Sequence, residues 1–251
     1  MATIPPKTQV HDLHARVAAA ICSAPDMRIS DQTRSGVIEA GIAPARFIGY
    51  YEMGQHEPEY EGEKSVTNWV QMVFELSGPK HPPRKDGEPV RIKLEEKMSL
   101  SEKANFFKLF GSMNYSGKAT HMAEFLGDAF IVEVFHNPSA DGKRVFPSLK
   151  GKGGKGYNIT GPTYEDPATG ESKLLDVAAP VSPLKAFFWD GATKEDWDSI
   201  YIPGEYAERK DEKTGEVIAQ AKTKNVIQKR IKEAVNWKEH PLCEYVSKQL
   251  L

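Results

Sequence analysis

The sequence carries only two cysteines, Cys22 and Cys243, near opposite ends of its 251 residues. Neither belongs to a Cys-x-x-Cys pair or a Cys/His cluster, so a disulfide scaffold and a thiolate zinc site are both excluded. The seven histidines are scattered without metal-ligand spacing, and no serine stands in a Gly-x-Ser-x-Gly context. Glu95 and Glu96 lie side by side in a strand pattern, so they point to opposite faces and make no catalytic pair. No enzyme, cofactor or metal is therefore expected. No window approaches the roughly 18 uninterrupted apolar residues of a membrane span, and prolines break Met1 to Val10 where a secretion signal would be apolar. These absences lead us to expect a soluble, intracellular, non-catalytic chain, and they leave the Asn158-Ile159-Thr160 triplet without a glycosylation context. A strong charge of one sign is also missing. The net charge is −2, so affinity for a polyanion has to come from a local basic patch.

What the sequence does contain is a succession of strand signals. An N-terminal arm (residues 1–41) holds one helical candidate, His11 to Cys22, followed by polar residues. Strands are expected at Arg46 to Tyr51, Val66 to Leu76 and Val90 to Met98, separated by a polar loop and by the stop Gly78 to Pro83. Ser99 to Glu102 reads as the cap of a helix through Phe110, and Ala119 to Leu126 as a second helical piece ended by Gly127. Ala129 to Phe135, Arg144 to Leu149 and Tyr157 to Thr160 read as further strands. The order β-β-β-α-β-β predicts a β-rich (α+β) fold: an OB-like five-stranded Greek-key barrel over residues 42–162, with a helix between strands 3 and 4. A C-terminal α/β extension, residues 163–251, is expected to pack on that barrel and to include a basic helix, Lys224 to Val235.

The sharpest local signal is Lys143-Arg144 followed by Lys150 to Tyr157, five cations and no acid within a glycine-rich loop. Glycines let a backbone come close to a ligand, Lys143, Arg144, Lys150, Lys152 and Lys155 can neutralise phosphates, and Tyr157 offers a face to a base. The loop lacks the hydroxyl residue and following helix of a P-loop, and it reads equally as a solvated hairpin. Lys80, His81, Arg84 and Lys85 form a second basic group, from which Lys80 and Arg84 are candidate contacts. Tyr50, Trp69 and Phe146 are candidate stacking groups, each competing with a place in the core; one of Tyr50 and Tyr51 is expected inside and the other outside. Phe187 to Trp189 and Trp197, followed by acids, are expected in the core of the extension.

The runs Phe74 to Pro83, Leu100 to Phe110 and Asn114 to Met122 together resemble proteins of tailed-bacteriophage replication modules described as single-stranded DNA-binding proteins. The resemblance extends to Lys185 to Asp190 and Lys224 to Gln228. It implies an OB-fold binder of single-stranded DNA with low sequence specificity, acting in phage DNA replication or recombination in the host cytoplasm, without identifying contact residues. Other replication or recombination proteins are implied partners, and a homo-oligomer stays open. Many proteins of this activity end in an acidic tail, whereas Tyr245 to Leu251 is not acidic, which implies either a different way of recruiting partners or a role other than the standard one. The rival expectation is a non-enzymatic phage protein-interaction or virion-assembly component.

Overall fold

The computed structural model describes residues 38–248 apart from positions 58, 61, 62, 85, 140, 141, 143, 152–155, 211–213 and 216. The expected helix at 11–22 lies outside the described residues. In chain order the elements begin with the strands β1 (Gly41–His56), β2 (Glu59–Tyr60), β3 (Glu63–Lys64), β4 (Thr67–Leu76) and β5 (Val90–Lys97), and then helix α1 (Asn105–Met113). There follow β6 (Ala129–Pro138), β7 (Val145–Ser148), β8 (Ile159–Thr160), β9 (Thr163–Glu165), β10 (Ser172–Leu174), β11 (Lys185–Phe187) and α2 (Lys194–Ser199). The chain continues through β12 (Glu205–Tyr206), β13 (Arg209–Lys210), β14 (Val217–Ala219), β15 (Lys222–Thr223), α3 (Val226–Lys232) and α4 (Leu242–Lys248).

A mainly antiparallel sheet with the order β5-β4-β1-β6-β7 organises these elements. It is open, because no backbone ladder joins β5 to β7. β1 is its shared strand. One edge of β1 pairs with β4 from Ala45 to His56. The other edge pairs antiparallel with β6 over Gly41 to Arg46, then parallel with β11 over Gly49 to Tyr51. Pro44 is tolerated here because its carbonyl, and hence its donor-less nitrogen, faces Ser77 just beyond the end of the β4 ladder.

Two β-bulges re-aim β1. Ile48 is the extra residue between the pairs Phe47↔Phe74 and Gly49↔Val73, and Met53 that between Glu52↔Val70 and Gly54↔Trp69. Alternation sends Ala43, Ala45 and Phe47 into one core; after the first bulge Tyr50 enters that same core while Tyr51 and Met53 point the opposite way. The first core joins Phe47, Phe74 and Phe130 to Phe106, Leu109 and Met113 of α1. The second joins Tyr51 and Met53 to Phe187, Trp197, Ile227, Ile231 and Trp237 of the C-terminal extension. Both Tyr50 and Tyr51 are therefore buried, which corrects the expectation that one would be exposed. The extension is tied into the sheet by polar clamps as well as by β11. The buried Glu75 carboxylate accepts from the Val181 and Ser182 amides at 2.7 and 2.9 Å, and Arg46 donates to the carbonyls of Gly127 and Ala178 at 3.0 Å each.

The helices depart from their expected bounds for local reasons. α1 begins only at Asn105, because the Ser99 hydroxyl accepts from the Ser101 amide and a turn links Ala104 back to Ser101. Ala119 to His121 stay extended: the Asn114 side chain bonds both backbone groups of Ala119, and the Glu124 carboxylate accepts from the Thr120 and His121 amides. Only a 3-10 turn, Met122–Phe125, forms beyond them, with a reciprocal His121/Glu124 capping box. α3 starts at Val226, which leaves Lys222 on a strand and Lys224 in the turn before the helix.

At Gly54 φ is +74°, and a Cβ there would stand 2.2 Å from the Trp189 ring, so glycine is required on two counts. Gly54→Ala is expected to cost about 2–5 kcal/mol through strain and overpacking, read from the midpoint of urea unfolding. Burial also lowers the His56 imidazole from its ordinary 6.5, aided by the Arg230 charge, and burial lowers that of His81. The unfolded chain then binds protons that the native state refuses, so this part of the stability is full above about pH 6.5 and is lost as pH falls below it. Thermal melts should show a midpoint lower at pH 5 than at pH 7.5, with a flatter dependence in His56→Gln/His81→Gln.

Candidate nucleic-acid interface

The open seam between β5 and β7 is bridged by side chains. β5 alternates strictly, with Val90, Ile92, Leu94 and Glu96 inward and Arg91, Lys93 and Lys97 exposed on the other face. Glu96 is thus a carboxylate carried into the wall of the first core. Two donors satisfy it: the Lys150 ammonium at 2.6 Å, two residues past β7, and the Tyr157 hydroxyl, which donates to the same oxygen. Lys150 and Tyr157 face each other as an isolated antiparallel bridge at the base of the glycine-lysine loop. Burial, then the Glu96 hydrogen bond and charge, push the Tyr157 phenol far above its ordinary value, so it remains a donor at any physiological pH.

The sequence candidates distribute unevenly around this seam. Lys150 and Tyr157 meet there, but both are engaged by Glu96. Lys143, Lys152 and Lys155 lie outside the described residues. Arg144 is exposed, its amide held by the Ser139 hydroxyl at 3.0 Å, and Phe146 on β7 is 51% exposed opposite Asn137. Lys80 is exposed and 3.7 Å from the Glu39 carboxylate, and Arg84 is exposed in the loop before β5. His81 is buried, its Nε2 against the Glu39 carbonyl at 3.1 Å, so it does not belong to an exposed basic group. Tyr50 requires the plainest correction: it is fully buried, edge-on to His121 and donating to Glu52 at 3.2 Å, so no base can stack on it.

Trp69 occupies the opposite face of β4 from Val70 and Met72, half-buried against the second core, with an indole N–H that meets no acceptor among the described residues. Across the β4–β5 ladder it faces Lys97, whose ammonium lies over the ring at 5.9 Å. That pairing was missed from the sequence. The alternation of Arg91, Lys93 and Lys97 was visible, but only the register of β4 against β5 brings Lys97 to Trp69. Of this row, Lys93 is paired with Glu95 at 2.9 Å and Arg91 with Glu88 at 2.6 Å. The end of β5 consequently carries an aromatic–cation pair on one face and the base of the basic loop on the other.

Among the described residues no three His, Cys, Asp or Glu side chains gather as a metal-ligand set, and no helix is long and apolar enough to cross a membrane. No protein-family model matches the chain, and comparisons with curated proteins and with solved structures return no match. Lys150→Ala leaves Glu96 with one donor and should cost about 1–3 kcal/mol. In Glu96→Gln, which retains an acceptor for Tyr157, the further loss on adding Lys150→Ala should be much smaller, a coupling that a double-mutant cycle of urea unfolding measures.

Proposed function

We propose that this chain is an OB-like barrel that binds single-stranded DNA with little sequence preference, as in phage replication or recombination. The observation that carries the reading is the arrangement around the β5–β7 seam. The strand order third-second-first-fourth-fifth, with α1 between the third and fourth, fits an OB-like reading, and Glu96, Lys150 and Tyr157 bridge by side chains the seam that a ladder would close in such a barrel. On such a barrel the loop between the fourth and fifth strands rims the ligand groove; here that loop ends at exposed Arg144, and the glycine-lysine loop leaves the other end of β7, at the seam. Trp69 with Lys97 supplies the paired stacking and phosphate groups that a single strand needs beside that rim. Exposed Phe146 and Arg144 offer a further aromatic and a further cation at the neighbouring hairpin. With a net charge of −2, binding has to be local and salt-sensitive.

The test is fluorescence anisotropy of labelled oligothymidylate at several salt concentrations. Lys150→Ala/Lys152→Ala/Lys155→Ala should make the slope of log affinity on log salt shallower by about 2, at 0.7 per phosphate contact. Lys152→Ala/Lys155→Ala alone should give two-thirds of that effect while keeping the seam. Trp69→Ala should weaken binding about 5- to 150-fold, the span of one lost base stack. Glu96→Gln should tighten binding, because it releases Lys150. A folded wild type that binds no strand would overturn the proposal and favour a protein-interaction or assembly role.

A further inference from the structure

We infer that the two-stranded ribbon formed by β12 and β15 is a second contact for the same single strand, a stacking platform separate from the β5–β7 seam; this rests on the nucleic-acid reading of the chain. The pairs Glu205↔Thr223 and Tyr206↔Lys222 fix the ribbon's faces. Side chains alternate along a strand, so Tyr206, Lys222 and, diagonally, Lys224 share one face, while Glu205 points to the other. The side chains realise that geometry. Tyr206 is 52% exposed, and the Lys222 and Lys224 ammonium groups lie 5.8 and 5.5 Å from the centre of its ring.

Three features make a nucleic-acid strand the fitting occupant. Neither lysine is within ion-pair distance of a described carboxylate, unlike Lys210 on the adjoining β13–β14 pair, which is 3.3 Å from Glu208. An exposed tyrosine flanked by two unneutralised ammonium groups offers a π-face for one base and charge for the phosphates on either side of it. The backbone that carries the ring is also held by the ladder and by the Lys224 amide, which donates to the Gly204 carbonyl at 3.0 Å, so little backbone ordering entropy remains to be lost on stacking. The sequence pattern starts a basic helix at Lys224; the position of Lys222 on a strand and of Lys224 in the turn after it is what brings both to the tyrosine.

A second contact makes affinity depend on strand length, since one OB barrel occupies about 4–16 nucleotides. Anisotropy with the full chain would compare a strand within that range with one several times longer. Tyr206→Ala should weaken binding of the long strand about 5- to 150-fold and leave the short one unchanged, whereas Tyr206→Phe should keep wild-type affinity for both. Lys222→Gln/Lys224→Gln should reduce the salt slope for the long strand by about 1.4. Ultraviolet cross-linking of the long strand should label the peptide that holds Tyr206. Because the ribbon is exposed, melting curves of these variants should match the wild type. Long-strand binding by the variants at wild-type strength and slope would overturn the ribbon contact while leaving the seam in place. Failure of the wild type to bind either strand would overturn both.

Discussion

Everything else in the fold depends on β1 being enclosed on four sides. Its edges are saturated by β4, β6 and β11, and its faces are covered by two separate apolar cores. A strand in that position cannot follow simple in-out alternation with polar residues outside, and it does not: Phe47, Tyr50, Tyr51 and Met53 are all buried. The bulges at Ile48 and Met53 make this compatible with one continuous strand. They switch the parity of the side chains where β1 exchanges β6 for β11, so that each partner meets the correct face. Fully burying a residue of this size stabilises by about 1.5–3 kcal/mol, and four of them on one strand couple the two cores strongly.

That constraint explains which parts of the molecule were legible in the sequence. β4, β5 and β6 were found nearly to their ends because β4 and β6 are β-branched and aromatic runs, while β5 has one buried and one exposed face and so keeps a period of two. β1 was found in the middle only, since its glycines and Pro44 look like breakers until the bulges and the ladder end are known. Tyr50 was assigned to the interface because alternation says that Tyr50 and Tyr51 diverge, which they do. It cannot say that the extension covers the outer face. The helix starts failed for another reason: Ser99, Asn114 and Glu124 spend their side chains on turns, a choice that local propensity leaves undecided.

The candidate site was legible as residue types and not as partners. Lys150 and Tyr157 were read as groups facing a ligand, whereas both face Glu96, which alternation had only set on the opposite face of the strand from Glu95. The reverse happened at Lys97, Lys222 and Lys224, which drew no notice as contacts and yet stand over aromatic rings. The missing information is long-range: cross-strand register at Lys97 and Lys222, and the approach of β5 to β7 across an unpaired seam at Glu96, neither of which leaves a trace in a local window.

The seam also bears on how a nearly neutral protein could hold a polyanion. A buried carboxylate with two donors is stable only while it keeps them, so Lys150 is held by an anion already in place. A phosphate that takes Lys150 replaces one anion by another, and Glu96 then depends on the Tyr157 hydroxyl, whose high proton affinity secures that bond. On the proposed reading, the release of counterions from the strand, a term that grows as salt is diluted, would favour that exchange. Elsewhere charge is separated by geometry: Arg91 and Lys93 are paired with Glu88 and Glu95 on the outer side of β5, but alternation leaves Lys97 outside over Trp69 and Glu96 inside, and puts Tyr206 with Lys222 on one face of a ribbon whose other face carries Glu205. Charge that cancels over the whole chain is thereby kept apart at Lys97 and at the Tyr206 face, the two places where the proposed reading lays a strand against an aromatic ring.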